Sequence, residues 1–187
     1  SYPAVDYQAA FLMSDATDLD YHKKVIKSGL QLFEKLLGYK AVFFVPPNGM
    51  INNSLNEILA EGGIELRYVA KIQHESMGSG RYRKRLHYLG QKDKHGIRYI
   101  IRNCFFEPSQ DGHDWVDVCL NQIRTAFRLK KPAIIGTHRV NYIGSLNPKN
   151  RDTGLSQLSS LLTRIKGQWP DVEFLTTARL GDQMKQE

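Results

Sequence analysis

The sequence predicts an α/β domain, and three observations carry that prediction. Short apolar strand signals alternate with amphipathic helix signals along the 187 residues. The strand signals are continuously apolar, as in parallel strands covered on both faces. Several end abruptly on polar residues, and α/β folds bind ligands outside the carboxyl ends of their strands.

The elements follow in order. Residues 4–13 are modestly helical. Asp18 or Asp20 can cap a helix in which Val25, Ile26, Leu30, Phe33, Leu36 and Leu37 recur at helical spacing, and Gly38 stops it. All six are expected in the core. Residues 41–45 (AVFFV) form a strand that Pro46-Pro47-Asn48-Gly49 ends. Asn53 or Ser54 starts a helix through Leu55, Ile58 and Leu59, closed by Gly62-Gly63, and residues 64–70 are the next strand. Strand, helix, strand is the βαβ unit of a parallel sheet. Residues 71–96 interrupt it as a β-rich insertion.

Residues 97–106 resume as strand and end at Glu107-Pro108. A helix spans about 114–129, with Val116, Leu120, Ile123 and Phe127 on one face. Residues 132–136 are a strand that delivers Thr137, His138 and Arg139 to its rim. A helix over about 154–165, a strand over 172–175 and a short helix capped by Thr176 or Thr177 complete the chain. About five core strands are visible. That is few for a barrel of seven or eight, so either the sheet is open or further strands precede this sequence. The chain is read as one domain over 1–187.

Composition bounds the function. Hydrophobic residues make up 41% of the chain, enough for a sizeable core. No apolar run approaches a membrane span. The start lacks a basic region and a signal-type apolar stretch, and it lacks an initiator Met, so upstream residues are expected to have been removed. Cys104 and Cys119 are too few for a thiolate metal site and read as buried free thiols. The net charge of +7 favours anionic partners, with Arg81, Arg83, Lys84, Arg85, Lys92, Lys94 and Arg98 in the insertion. Four glycines there read as turns, so a solvated hairpin is expected and nucleic acid is not.

Three strand ends carry the chemistry. They are 44–49, then Glu107 with the 111–115 segment, and finally Thr137-His138-Arg139 with Asn141. Histidine is the commonest general acid or base, and a neighbouring carboxylate holds its tautomer. Arg102, Asn103 and Glu107 cluster at one strand end, and His138, Arg139, Asn141, Asn150 and Arg151 near the next. Such groups suit sugar hydroxyls or carboxylates. Asn150-Arg151-Asp152 can equally be a turn and helix cap.

Order and spacing here resemble the polysaccharide deacetylase family of carbohydrate esterases, which carries five motifs on a distorted (β/α) barrel. Val45-Pro46-Pro47-Asn48-Gly49 stands where the family has Arg-x-Pro-x-Gly. Asp111, Asp114 and Trp115 match Asp-x-x-Asp-Trp literally, and Ile135-Gly136-Thr137-His138 matches the Leu-x-His strand end. The resemblance covers roughly residues 20–185 apart from the insertion. It implies a glycan substrate and hydrolysis of an N- or O-acyl group, with a zinc-like divalent metal held by Asp-His-His. It implies His138 as the acid, Asp114 as its partner and Trp115 as a pocket wall, with Asn48 at the third motif.

The motifs supplying the base and the metal ligands have no counterpart here. Only 44 residues precede Val45, and His22, read as a surface residue, is the only histidine among them. The chain is therefore expected to be the later portion of such a barrel, inactive alone and without cofactor of its own. Exposed strand edges would then favour self-association. Two other readings stay open. One is a metal-independent glycoside hydrolase pairing Glu107 with Asp111 or Asp114. The other is a non-catalytic basic module binding an anionic polymer through residues 81–98.

Overall fold

A computed structural model describes residues 9–186. Its elements are α1 (Asp18–Leu37), β1 (Phe43–Phe44), α2 (Asn56–Glu61), β2 (Leu66–Tyr68), β3 (Ile72–Ser76), β4 (Tyr82–Leu86), β5 (Arg98–Ile100), β6 (Cys104–Phe105), α3 (Trp115–Arg128), β7 (Ile135–Gly136), α4 (Pro148–Gln168) and α5 (Thr177–Gln186). The described residues divide into two compact units, 9–101 with 175–186, and 102–174.

In the first unit β1, β2 and β5 form a parallel sheet in the order β1-β2-β5. Ile51, Leu55, Leu59, Ile64, Val69, Ile97 and Ile101 pack with Ile26 of α1 as its core. Gly38 ends α1 in the left-handed region at φ 78° and returns its N–H to Glu34 O at 2.9 Å. Only His22 and Ile26 of α1 are buried, while Val25, Leu36 and Leu37 are exposed. The expectation that all six apolar positions lie in the core is thus corrected. A 20-residue helix carries apolar residues around more of its circumference than its neighbours in this unit cover.

His22 is likewise corrected from surface to buried. Its ring meets Phe11 edge-on at 5.4 Å, its Nδ1 has no hydrogen-bond partner among the described residues, and burial lowers its pKa. The helix read over 4–13 lies outside the described residues as far as residue 8, and residues 10–11 are a turn.

The insertion is an antiparallel hairpin of β3 and β4, with Glu75 opposite Arg83 and Gln73 opposite Arg85. It is only half solvated, because Gln73, Glu75, Ser76 and His87 are buried. On α5, Gly181 lies on Leu66, where an added Cβ would come within 2.4 Å of Leu66 Cδ1.

The second unit pairs β6 and β7 in parallel and packs α3 and α4 around Cys104, Phe106, Cys119, Leu120, Ile123, Leu161 and Ile165. Both cysteines are free, and burial pushes the thiols up to about 12 for Cys104 and about 11 for Cys119. The apolar run 97–106 forms two strands, with a break at 101–103 where the chain passes between the units. Helix α4 starts at Pro148 rather than near 154, since Asn147 caps it by accepting the Lys149 N–H. Asn150-Arg151-Asp152 therefore lies inside the helix. Residues 172–175 form no strand. Among the described residues no helix is long and apolar enough to cross a membrane.

Candidate functional site

The site is built by the register of β6 and β7. Cys104 lies beside Ile135 and Phe105 beside Gly136, and Phe106 donates its N–H to Gly136 O at 2.9 Å. Two residues further on each strand, the same register brings Glu107 beside His138, although 31 residues separate them.

Each strand then turns. Glu107 O accepts the Gln110 N–H at 2.8 Å, with Pro108 at the position where its fixed φ suits a β-turn. His138 O accepts the Asn141 N–H at 3.0 Å at the start of a 3₁₀ turn, Arg139–Tyr142. The two turns pack through side chains. His138 Nδ1 lies 2.6 Å from Glu107 Oε1, and Asn141 Nδ2 donates to Glu107 Oε2 at 2.7 Å.

Burial assigns the roles. Glu107 and Asn141 are buried, at 5% and 0% exposure, whereas the His138 side chain is 68% exposed. The buried carboxylate fixes the imidazole with Nδ1 inward, which leaves Nε2 as the reactive position. Asn141 also donates to Thr137 Oγ1 and His138 O, and its Oδ1 accepts from Ser109 N and Ser109 Oγ. Its amide is therefore spent inside the cluster. Asn141 positions the dyad, where the sequence reading had it touching substrate.

Gly154 of α4 sets the approach, since a Cβ there would lie 2.0 Å from Asn141 O. Asn150 Nδ2 reaches Val140 O and Ile143 O at 2.6 and 3.0 Å, tying α4 to the turn.

The remaining candidates take other places. Asp114 caps α3 by accepting the Asp117 N–H at 3.0 Å, so the carboxylate against His138 is Glu107. Trp115 is half-buried and donates its indole N–H to Gln110 O. Asn103 bridges to residues 132 and 134, accepting the Ile134 N–H and donating to Pro132 O. Arg102 packs on Gly136, where a Cβ would lie 2.8 Å from its Cδ. Arg139 is exposed directly beside His138. Asn48 is exposed in a 3₁₀ turn at φ 52° in the first unit.

Sequence reasoning passed over Ser109 and Gly154 as parts of the cluster. One signal was present, because Asn141 follows His138 at the three-residue spacing of a closed turn.

The resemblance implies an Asp-His-His donor set for a divalent metal. Among the described residues no three His, Cys, Asp or Glu side chains converge on one point. Each oxygen of the Glu107 carboxylate against His138 is already hydrogen-bonded, one to His138 and one to Asn141. These residues do not form that ion's site.

The arrangement can exchange a proton at His138 Nε2 with a molecule on the surface. It offers no free pair of carboxylates, because both oxygens of Glu107 are taken. No family model, no curated protein and no solved structure matches this chain.

Proposed function

We propose that this chain serves the hydrolysis of N- or O-acyl groups on a glycan, as polysaccharide deacetylases do, with His138 as the proton-transfer residue. The observation that carries the reading is the exposed His138 ring anchored at 2.6 Å to buried Glu107. In the step assigned to it, water oxygen bonds to the acyl carbon, the water's protons pass to solvent as the free carboxylate forms, and the bond to the sugar nitrogen or oxygen breaks. The proton on Nε2 passes to that departing atom, and a solvent proton restores the imidazolium. Glu107 and Asn141 are positioning residues that hold the ring through this exchange. Arg139, exposed and next to His138 in the chain, is a candidate to bind a substrate hydroxyl or carboxylate. The motifs at 111–115 and 135–138 support the glycan assignment.

The glycosidase alternative is weaker, because Glu107 is buried and neither of its oxygens is left to protonate or attack a glycosidic bond.

The test is acetate release from partially acetylated chito-oligosaccharide and acetylated xylan by the natural gene product, with and without added divalent cation. His138→Ala is expected to lower kcat by about a hundredfold or more with KM little changed. Acetate release from neither substrate, or an unchanged rate in His138→Ala, overturns the reading.

A further inference from the structure

We propose that the pocket between residues 52–56 and the inner face of the β3–β4 hairpin binds a hydroxylated oxyanion, a sugar acid or sugar phosphate. It lies within the first unit, and the argument is independent of His138.

The hairpin supplies one wall by simple alternation. Side chains two apart share a face, so Gln73 and Glu75 of β3 stand with Arg83 and Arg85 of β4 on the inward side. The outward positions Ile72 and Leu86 are exposed. Asn53, Asn56 and Tyr99 form the facing wall, and Lys94 and His95 close the rim. The cleft is partly open to solvent and its volume is about 390 Å³, room for a monosaccharide and ample for a bare phosphate.

Hydrogen bonding selects the ligand. Apart from the exposed Glu57, the pocket's carboxylates and side-chain amide oxygens are used internally. Glu75 accepts from the Asn53 N–H and from Arg85 Nε. Asp93 accepts from the Asn56 amide and from the N–H groups of His95 and Ile97. Asn53 Oδ1 accepts from Arg67 and Gln73, and Asn56 Oδ1 from Arg67.

The donors are left over. Among the described residues Asn53 Nδ2, the Arg85 terminal nitrogens, Arg83 and Lys94 have no acceptor. Tyr99 Oη accepts from Asn56 and so keeps its own proton to give. With several spare donors against one uncommitted carboxylate, Glu57, the pocket fits an acceptor-rich ligand.

Charge points the same way. Arg67 is fully buried behind Asn53 and Asn56, its guanidinium 4.9 Å over the Tyr99 ring. Among the described residues its hydrogen bonds go to amide oxygens and to no carboxylate, and its Nε has no partner. A guanidinium stays charged when buried, so its field reaches the pocket through a low-dielectric wall. With Arg83, Arg85 and Lys94 against Glu57, Glu75 and Asp93, the site is left one positive charge in excess. A carboxylate or phosphate supplies the missing negative charge.

The experiment titrates the protein with D-glucuronate, D-glucose 6-phosphate and neutral D-glucose, read by calorimetry and by amide shifts at Asn53, Arg85 and Lys94. At least one acidic sugar is expected to bind tenfold or more tighter than glucose, with affinity falling as salt rises. The exposed rim variant Arg83→Gln with Lys94→Gln keeps the fold and is expected to weaken binding by about tenfold or more. The tighter of the two acids identifies the oxyanion. Equal binding of glucose, no saturable binding of either acid, or full affinity in the double variant overturns the proposal.

Discussion

Replacing Asn141 with aspartate exchanges one buried amide for a carboxyl and tests the cluster most sharply. In the native protein Nδ2 donates to Glu107 Oε2 at 2.7 Å and to Thr137 Oγ1 and His138 O. An ionised aspartate would face the Glu107 carboxylate at nearly that separation. At an effective dielectric near 20, two charges ~3 Å apart repel by about 5 kcal/mol. The pair escapes by holding a shared proton, as closely placed carboxylates do, and the O–H then replaces the lost donor.

Keeping that proton at pH 7 against an ordinary aspartate pKa of about 3.9 costs about 4 kcal/mol. The sign follows directly. The shared proton raises the folded pKa above the unfolded one, so stability is retained below about pH 4 and lost as pH rises. We expect a deficit against wild type of about 4 kcal/mol at pH 7 that shrinks by roughly 1.4 kcal/mol per pH unit toward pH 4. Trp115 and Trp169, the only tryptophans, both pack against the core of this unit, so urea unfolding followed by their fluorescence reads it directly. A deficit equal at pH 4 and pH 7, or one below about 1 kcal/mol, refutes the reasoning.

Three further outcomes follow from the packing and the buried titrating groups. Gly154→Ala, whose Cβ would meet Asn141 O at 2.0 Å, should lower Tm by several degrees, whereas Gly167→Ala in the same helix, with nothing within 4 Å, should not; equal responses would contradict the close approach. His22 is held neutral by burial, so its folded pKa lies below the unfolded value and stability falls as pH drops through about 6.5. His22→Phe should flatten that acid limb and gain about 1 kcal/mol, and an unchanged slope would argue against burial. Cys104 and Cys119 have folded values raised to about 12 and about 11 from an ordinary 9.0, so stability is full below pH 9 and falls above it. The double alanine variant should show a shallower alkaline decline in chemical denaturation, and superimposable slopes would refute it.

What could be read from the sequence was local. The Gly38 stop of α1, the start of α3 near residue 114 and the buried thiols follow from residue type and spacing, and the structure has them. His138 and Glu107 were visible as rim residues because each follows an apolar run. Their pairing was not, since it depends on the β6–β7 register, a contact between segments 31 residues apart. Asp114 was the closer match to a motif, yet a residue at a helix start is drawn to cap it. Asn141 read as a surface ligand because nothing local says that α4 folds back over it through Gly154. The start of α4 was missed although Asn147 and Pro148 carry the signal, because leucine periodicity begins only at Leu155. In the hairpin, charge was read without alternation, so the burial of Gln73, Glu75 and His87 went unseen.

The claim beneath the proposed chemistry is that Glu107 holds His138 by Nδ1 and leaves Nε2 to react. Nitrogen-15 spectra of the imidazoles, recorded across neutral pH on wild type and Glu107→Ala, test it directly. The account predicts neutral His138 in the Nδ1–H form, with the proton on Nδ1 shared with Glu107 and lost from that bond in the variant. A neutral ring found in the Nε2–H form, or a spectrum unchanged by Glu107→Ala, would contradict it.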